Sequence, residues 1–375
     1  MKVVFFTNFI NHHQVHIADE LYNVLGDNYT FVATETIPQS FKNNGYPDYS
    51  DRPYLLKAYL DENKAEAQLL ADEADVVIIG AAPDLYIKKR LAHNKLTFRY
   101  SERLFKKNYN RLLFPPFWLY YYNRHTRYRN SNLYMLCASA YTSSDAAKVF
   151  AYPNKCFKWG YFTKVEEFDF ETSYASKQGK LDIMWCARFI TWKHPKLVVE
   201  LAKQLKDSGY SFVIDMFGSG EELERTKQLA KELDVEDVVV FKGNVPNSQI
   251  LEEMRSHDIF LFTSDRNEGW GAVLNEAMSN GCAVVASDEI GAVPYLVKHG
   301  ENGLTFKSKD VNSLFENVKC LIDNPQERYR MSKSAYETML NEWSPCNAAK
   351  RLLQLMEGLL KGEVVEFADG PCSKA

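Results

Sequence analysis

The sequence predicts an α/β protein made of two doubly wound parallel-sheet domains facing a cleft, on three observations. The chain has 375 residues, about two and a half times the ~150 of a typical domain. Short runs rich in Val, Ile and Phe alternate with helical patterns along it. Those runs are apolar throughout, as strands covered on both faces require. The composition is that of a folded chain, 46% hydrophobic and 25% charged with 18 Gly and 13 Pro, which excludes collagen-like, low-complexity and broadly disordered readings.

In chain order, KVVFFTNF opens with a strand, NFINHHQ is a polar loop, and Val15 to Leu25 has helical spacing. YTFVAT (29–34) is a second strand, a helix lies around 60–72, and DVVIIG (75–80), LTFRYS (96–101) and LYMLCAS (133–139) continue the strands. Residues 1–162 form the expected first domain. TKVEEFDFETSYASKQGK (163–180) is polar and without period, and reads as a linker.

The second domain, 181–345, repeats the grammar. Strands LDIMWCARF (181–189), SFVIDMFG (211–218), VVVFKG (238–243), IFLFTS (259–264) and CAVVAS (282–287) alternate with helices at 195–207, 220–233, 247–256 and 271–279. Helical stretches 311–323, 326–341 and 346–361 follow, and 346–375 is a closing helix and tail, the helix packing back on the first domain.

Seven cysteines, with no C-x-x-C pair, suggest neither a disulfide framework nor a thiolate zinc site. The apolar run at Val3 to Phe6 turns polar at Thr7-Asn8, too soon for a secretory signal, so a cytoplasmic setting is expected. The longest aromatic patch, LLFPPFWLYYY (112–122), is far short of the ~20 apolar residues of a spanning helix.

The net charge is −4, but residues 86–130 hold twelve Lys/Arg, Lys106, Lys107 and Arg111 among them, against one acid, Glu102. The rest of the chain carries 33 basic and 48 acidic residues. A basic face is expected, solvated or attractive to anions. Phe114, Phe117, Trp118 and Tyr120 to Tyr122 sit among the cations, a mixture that suits an anionic membrane surface, with peripheral attachment on its inner face. A groove for single-stranded nucleic acid is the alternative and is ranked below it.

Ligands of doubly wound sheets collect at the carboxyl ends of strands. There the second domain places Arg188 and Lys193, Gly218, then Gly243, Asn244 and Val245, and finally RNEGWGAVLNEAM (266–278). Gly269 and Gly271 permit close backbone approach, and a helix starting near Gly271 directs free N–H groups and its positive dipole end outward. A diphosphate fits such a place. Taken alone, Glu268 and Glu276 read equally as a helix-start acid and an ordinary helical glutamate.

With these residues in view, the C-terminal half resembles the nucleotide-binding domain of retaining glycosyltransferase family 4, of GT-B fold, in the polysaccharide-biosynthesis type. The likeness rests on CARFITWKHP, FGSGEE, FKGNV and EGWGAVLNEAMSNGCAVVASDEIGAVPYLVKHGENGLTF, which contains the family's E-x7-E at Glu268 and Glu276. It is strong over 181–306 and only topological before that. The resemblance implies that Arg188 and Lys193 bind the donor diphosphate and stabilise it as it leaves. It assigns Glu276 to the ribose and Glu268 to the transferred sugar, since ionised carboxylates accept hydrogen bonds from hydroxyls. Gly271, Ala272 and Val273 N–H groups would face phosphate and sugar, and Gly243 to Val245 the base. A nucleotide-diphosphate sugar is then the donor, and no metal or other cofactor is required.

The first domain is expected to bind a glycan or lipid-linked acceptor. Where many relatives carry a catalytic histidine, this chain reads Ser101-Glu102-Arg103; Glu102 is either a base or acceptor ligand, or the partner of a neighbouring cation. His12 and His13 follow the first strand. With His16 they invite a metal reading, but no suitably spaced Cys or carboxylate completes it, and hydrogen bonding to substrate or loop is preferred. Alternatives to the transferase are a GT-B nucleotide-sugar epimerase and a non-catalytic sugar or nucleic-acid binding module. A nicotinamide enzyme is disfavoured because FGSGEEL lacks the third glycine of G-x-G-x-x-G.

Overall fold

The computed structural model of the chain describes residues 1–39, 47–106, 109–177 and 181–375, apart from the side chain of Arg111. The chain divides into two compact units, residues 1–164 with 343–375 and residues 165–342.

The first unit is built on β1 (Val3–Thr7), β2 (Tyr29–Ala33), β3 (Leu55–Lys57), β4 (Val76–Ile79), β5 (Thr97–Ser101), β6 (Leu133–Cys137) and β7 (Cys156–Lys158). Its connecting helices are α1 (Val15–Leu25), α2 (Lys64–Glu73), α3 (Lys88–Ala92), α4 (Pro115–Arg124) and α5 (Thr142–Lys148). The sheet runs β3-β2-β1-β4-β5-β6-β7, all parallel, with Val3 paired to Tyr29 on one side and to Val76 on the other. Strand order reverses between β1 and β4, so their carboxyl ends flank a crevice. All residues of both strands are buried, which is why VVFFT and VVII are apolar without alternation. β3 and β7, three residues each, are too short to show a pattern in the sequence.

The second unit carries β8 (Leu181–Cys186), β9 (Phe212–Phe217), β10 (Val239–Gly243), β11 (Ile259–Phe262), β12 (Ala283–Ser287) and β13 (Leu304–Phe306), again wholly parallel, in the order β10-β9-β8-β11-β12-β13. Its helices are α6 (Phe170–Ala175), α7 (Pro195–Asp207), α8 (Leu223–Glu232), α9 (Asn247–Ser256), α10 (Ala272–Ser279), α11 (Val293–Leu296), α12 (Val311–Asp323) and α13 (Pro325–Glu337). α7 shows how such a helix seats: a proline opens it, and Leu197, Val198, Leu201, Ala202 and Leu205 form one buried stripe in a core with Ile183, Trp185 and Ile214.

Beyond the second unit the chain returns to the first as α14 (Pro345–Lys361), capped by Ser344, whose Oγ accepts the Asn347 N–H at 3.3 Å. α14 packs against α1. The tail then adds an antiparallel bridge outside β7, with Lys158 N–H donating to the Ser373 carbonyl at 2.8 Å.

Two expectations change. The segment expected to be a linker, of which 178–180 lie outside the described residues, holds a capped helix, α6, with Asp169 accepting from Thr172 N–H at 3.1 Å. The two rings hidden in its polar string, Phe168 and Phe170, pack against Tyr336 with ring centres 4.7 and 5.8 Å away, so the segment belongs to the second unit. The basic stretch is not one face either. Arg90, Arg99 and Arg103 are buried, each with partners inside the unit. Arg90 donates to the carbonyls of Ala71, Ala74, Asp75 and Leu96 at 2.6–3.1 Å, and the other two pair with Asp84 and Asp145. Lys107 lies outside the described residues. Lys88, Lys89, Lys95, Lys106, Arg127 and Arg129 do face solvent, and so do the apolar Leu113, Phe114, Leu119 and Tyr122 on and just before α4. Among the described residues no helix is long and apolar enough to cross a membrane.

Candidate active site

The densest group of sequence-predicted residues lies at the strand ends of the second unit. After β8 the chain runs through Arg188 into a tight turn, Thr191–Lys193, before α7. Glycine fixes that loop. Cβ atoms on Gly218 and Gly220, both at positive φ, would stand 2.0 Å from the Ala187 carbonyl oxygen and 2.3 Å from that of Phe189. The close approach lets Phe189 N–H donate to the Ser219 carbonyl at 2.8 Å and Glu222 N–H to that of Phe189 at 2.9 Å. In this structure Gly218 therefore positions the Arg188 loop through its backbone. The turn after β10 joins the same layer: Gly218 N–H donates to the Gly243 carbonyl at 2.8 Å, and Asn244 Nδ2 to Ser219 Oγ at 2.8 Å. Val245 follows at the start of the connection to α9.

Arg188 is exposed, its guanidinium 5.8 Å from the centre of the Trp192 ring, and has no acidic partner among the described residues. Lys193 is different. It is 9% exposed, and its ammonium forms an ion pair with Glu268 Oε2, the same oxygen that accepts from Ser264 Oγ at 3.1 Å. The Lys193 carbonyl accepts from Thr263 Oγ1 at 2.7 Å, and Thr263 Oγ1 accepts from the Trp185 indole N–H at 2.8 Å. The loops after β8 and β11 are thus tied together around one charge pair.

Glu268, Gly269 and Trp270 lead into α10. Its cap, Gly271, has φ +97°, and a Cβ there would lie 2.5 Å from Phe262 Cζ and 3.3 Å from Glu268 Cγ. Only glycine fits, on both counts. Among the described residues no side chain caps α10, so the Ala272 and Val273 N–H groups, which precede the first i−4 acceptor, and the positive dipole end stay open beside Glu268. One turn on, burial pushes the Glu276 carboxyl up to about 7, opposed by a hydrogen bond with Asn247 of α9. Cys186, at the end of β8, is within reach of both charges: burial and then Glu276 push its thiol up to about 12, while Lys193 acts the other way. Lys193, Glu268, Glu276 and the α10 terminus therefore form one cluster.

Asp265 and His194 hold this cluster and were not singled out in the sequence. Asp265 N–H donates to the Trp192 carbonyl at 3.0 Å, and its carboxylate lies 3.1 Å from His194 Nε2 and 3.2 Å from Lys309 Nζ. Burial would raise this carboxyl, but hydrogen bonds from His194, Asn267 and Lys309 hold it well below the usual range. Its place just after β11 was the available signal. Elsewhere in the unit, Asp215, Glu253 and His257 bring ligand-capable atoms within 4.8 Å of one another, but Lys242 Nζ at 2.9 Å from Asp215 already supplies the positive charge.

Glu102, His12 and His13 lie in the first unit. Tyr161 joins two of them: its ring stacks on His13 at 4.9 Å and its hydroxyl donates to Glu102 Oε1 at 2.6 Å. The other oxygen of Glu102 is ion-paired with Lys106, the neighbouring-cation alternative drawn from the sequence. The His12 ring lies 3.6 Å from that of His13. Burial, with His16 second, lowers His12 to about 4, and burial followed by His12 and His16 holds His13 well below the usual histidine range. Both rings are neutral at pH 7 and suited to hydrogen bonding.

Residues 167–338 match the family model "Glycosyl transferases group 1". An uncharacterized glycosyltransferase of Haemophilus influenzae is 33% identical over 151 residues, 38% of this chain and 41% of that protein. The putative colanic acid biosynthesis glycosyltransferase WcaL of Escherichia coli is 26% identical over 185 residues, 48% of this chain and 45% of that protein. The alignments thus span less than half the length of these curated relatives. Among solved structures, Anabaena Alr3699/HepE in complex with UDP aligns with a TM-score of 0.69 at 14% identity, covering 96% of this chain and all of that one. Sucrose-phosphate synthase of Thermosynechococcus elongatus aligns at 0.66 and 14%, covering 97% and 100%. At these identities the likeness is one of fold, the two-domain Rossmann-like GT-B class.

Proposed function

We propose that this chain is a retaining glycosyltransferase of family 4, moving a sugar from a nucleotide-diphosphate sugar to a glycan or lipid-linked acceptor in cell-surface polysaccharide synthesis. The observation that carries the reading is the Lys193–Glu268 pair at the open amino end of α10, with Glu276 one turn along and Arg188, exposed and without an acidic partner among the described residues, in the loop after β8. The UDP complex of the Anabaena protein supports the donor class, and the name of the Escherichia coli relative supports the polysaccharide setting.

In this reading the donor diphosphate takes Lys193 from Glu268 and engages Arg188 and the Ala272 and Val273 N–H groups. Glu268, released, accepts from a hydroxyl of the transferred sugar, and Glu276 from the ribose. The bond from the anomeric carbon to the diphosphate oxygen breaks with its electron pair on the diphosphate, where the two cations and the helix terminus stabilise it. The acceptor oxygen bonds the same face of the sugar and gives up its proton to an oxygen of the departing diphosphate. No metal is invoked for the leaving group. In this reading the enzyme is cytoplasmic and rests on the inner membrane face, of which the exposed apolar surface of α4 supports the membrane contact alone.

Calorimetric titration with UDP and other nucleoside diphosphates tests the site. Lys193→Ala is expected to weaken binding at least ~10-fold, since a charge-assisted contact contributes about 1.5–3 kcal/mol; unchanged affinity would contradict the phosphate role. Nucleotide sugars incubated without acceptor must stay unepimerised, because an epimer would favour the rival activity.

A further inference from the structure

The first unit contains a cavity of about 510 Å3 at the carboxyl ends of β1, β4 and β5, reached by Phe9, Gly80 and Ser101. It lies at the point where strand order reverses, the place where doubly wound sheets take ligands. The wall is cationic. Arg99, Arg103, Lys106 and Arg124 line it against a single lining acid, Glu102. The two other carboxylates that answer these cations stand behind the wall: Asp84, 2.8 Å from Arg99 Nη1 and 3.5 Å from Arg124 Nη2, and Asp145, 3.5 Å from Arg103 Nε.

That charge is incompletely satisfied. Arg99 is 2% exposed, yet its Nε–H has no hydrogen-bond partner among the described residues, and the same holds for Nδ1 of His13 and Oε1 of Gln14, both also in the lining. A buried donor such as the Arg99 Nε–H costs stability unless an acceptor arrives, the Gln14 oxygen needs a donor instead, and a guanidinium fork matches phosphate geometry. One helix serves two surfaces. Tyr120, Tyr121 and Arg124 of α4 line the cavity, while Leu119 and Tyr122 of the same helix, with Leu113 and Phe114 just before it, are 53–81% exposed. A helix of ten residues is only ~15 Å long. A ligand anchored at Arg124 therefore has apolar surface immediately outside.

We propose that this cavity binds a lipid-linked acceptor by its phosphate group, held by Arg99, Arg103 and Arg124, with the lipid chain lying over the exposed face of α4. Calling the ligand an acceptor rests on the glycosyltransferase reading; the binding site itself does not.

The test is calorimetry on the full chain with dodecyl phosphate below its micellar concentration, inorganic phosphate, neutral dodecyl glucoside and phosphatidylglycerol vesicles. Dodecyl phosphate is expected to bind at least ~10-fold tighter than either inorganic phosphate or dodecyl glucoside. Arg124→Gln should weaken both phosphate ligands about equally, by ~10-fold. The double change Leu113→Ser with Leu119→Ser should weaken dodecyl phosphate alone. UDP titrated into each variant serves as the check on folding and on the donor site: unchanged UDP affinity with lost dodecyl phosphate binding isolates the cavity, and absent UDP binding with intact dodecyl phosphate binding removes the donor reading but leaves this one standing. Equal affinity for dodecyl phosphate and dodecyl glucoside, or full affinity in Arg124→Gln, overturns the proposal. So does vesicle binding without dodecyl phosphate binding, which would make α4 a membrane contact and the cavity irrelevant to it.

Discussion

Lys193 and Glu268, 75 residues apart in sequence, form an ion pair at side-chain exposures of 11% and 13%. Each is the other's charge partner until a ligand intervenes. If donor binding exchanges one anion for another at Lys193, neutralising the resident anion has a signature distinct from removing the cation. Glu268→Gln is expected to bind UDP as tightly as the parent or tighter, because the competitor for Lys193 is gone, while sugar transfer falls by ~100-fold or more if a transition-state contact is lost. Weaker UDP binding in that variant would sink the exchange.

Glu276 ties stability to pH. Its carboxyl is raised from 4.5 to about 7 in the folded chain, so between those values the native state holds a proton that the unfolded state has released. Stability therefore falls as pH rises across that window and levels off above it, by on the order of 3 kcal/mol. Glu276→Gln should melt above the parent at pH 8 and close to it at pH 4.5, while UDP affinity drops because a ribose acceptor is lost. Parallel melting curves across this range would show that the carboxyl is not held in that state.

Gly271 has no substitute at the mouth of α10. Alanine there meets Phe262 at 2.5 Å and must adopt φ +97°. Gly271→Ala is expected to cost about 2–4 kcal/mol and to lower the melting temperature accordingly. A variant as stable as the parent by thermal denaturation would contradict the close packing of Phe262 beneath the cap.

Arg90 separates structural from surface charge in the basic stretch. Its guanidinium answers four backbone carbonyls, so Arg90→Met, which keeps the volume, leaves them buried and unpaired. A loss of roughly 3 kcal/mol in denaturant unfolding is expected, with binding to anionic vesicles at low denaturant unaltered. A stable variant that no longer binds vesicles would return Arg90 to the surface.

The repeating strand and helix order of both units is legible in the amino-acid order, because the apolar runs of β1, β4 and β12 and the stripe of α7 are properties of a few consecutive residues. The amino-acid order also exposed the strand-end position of Arg188, Lys193 and the glycines around α10, since those follow from where the runs stop. Three-residue strands escaped it, as did α6, whose two packing rings are outnumbered by polar neighbours. Which charges meet is settled by folding. That Lys193 faces Glu268, that Asp265 ties His194 to Lys309, and that three arginines of the basic stretch turn inward depend on the register of strands far apart in the chain. Local periodicity carries no record of register; side chains acquire partners, burial and shifted proton affinities only when the sheet brings their strand ends together.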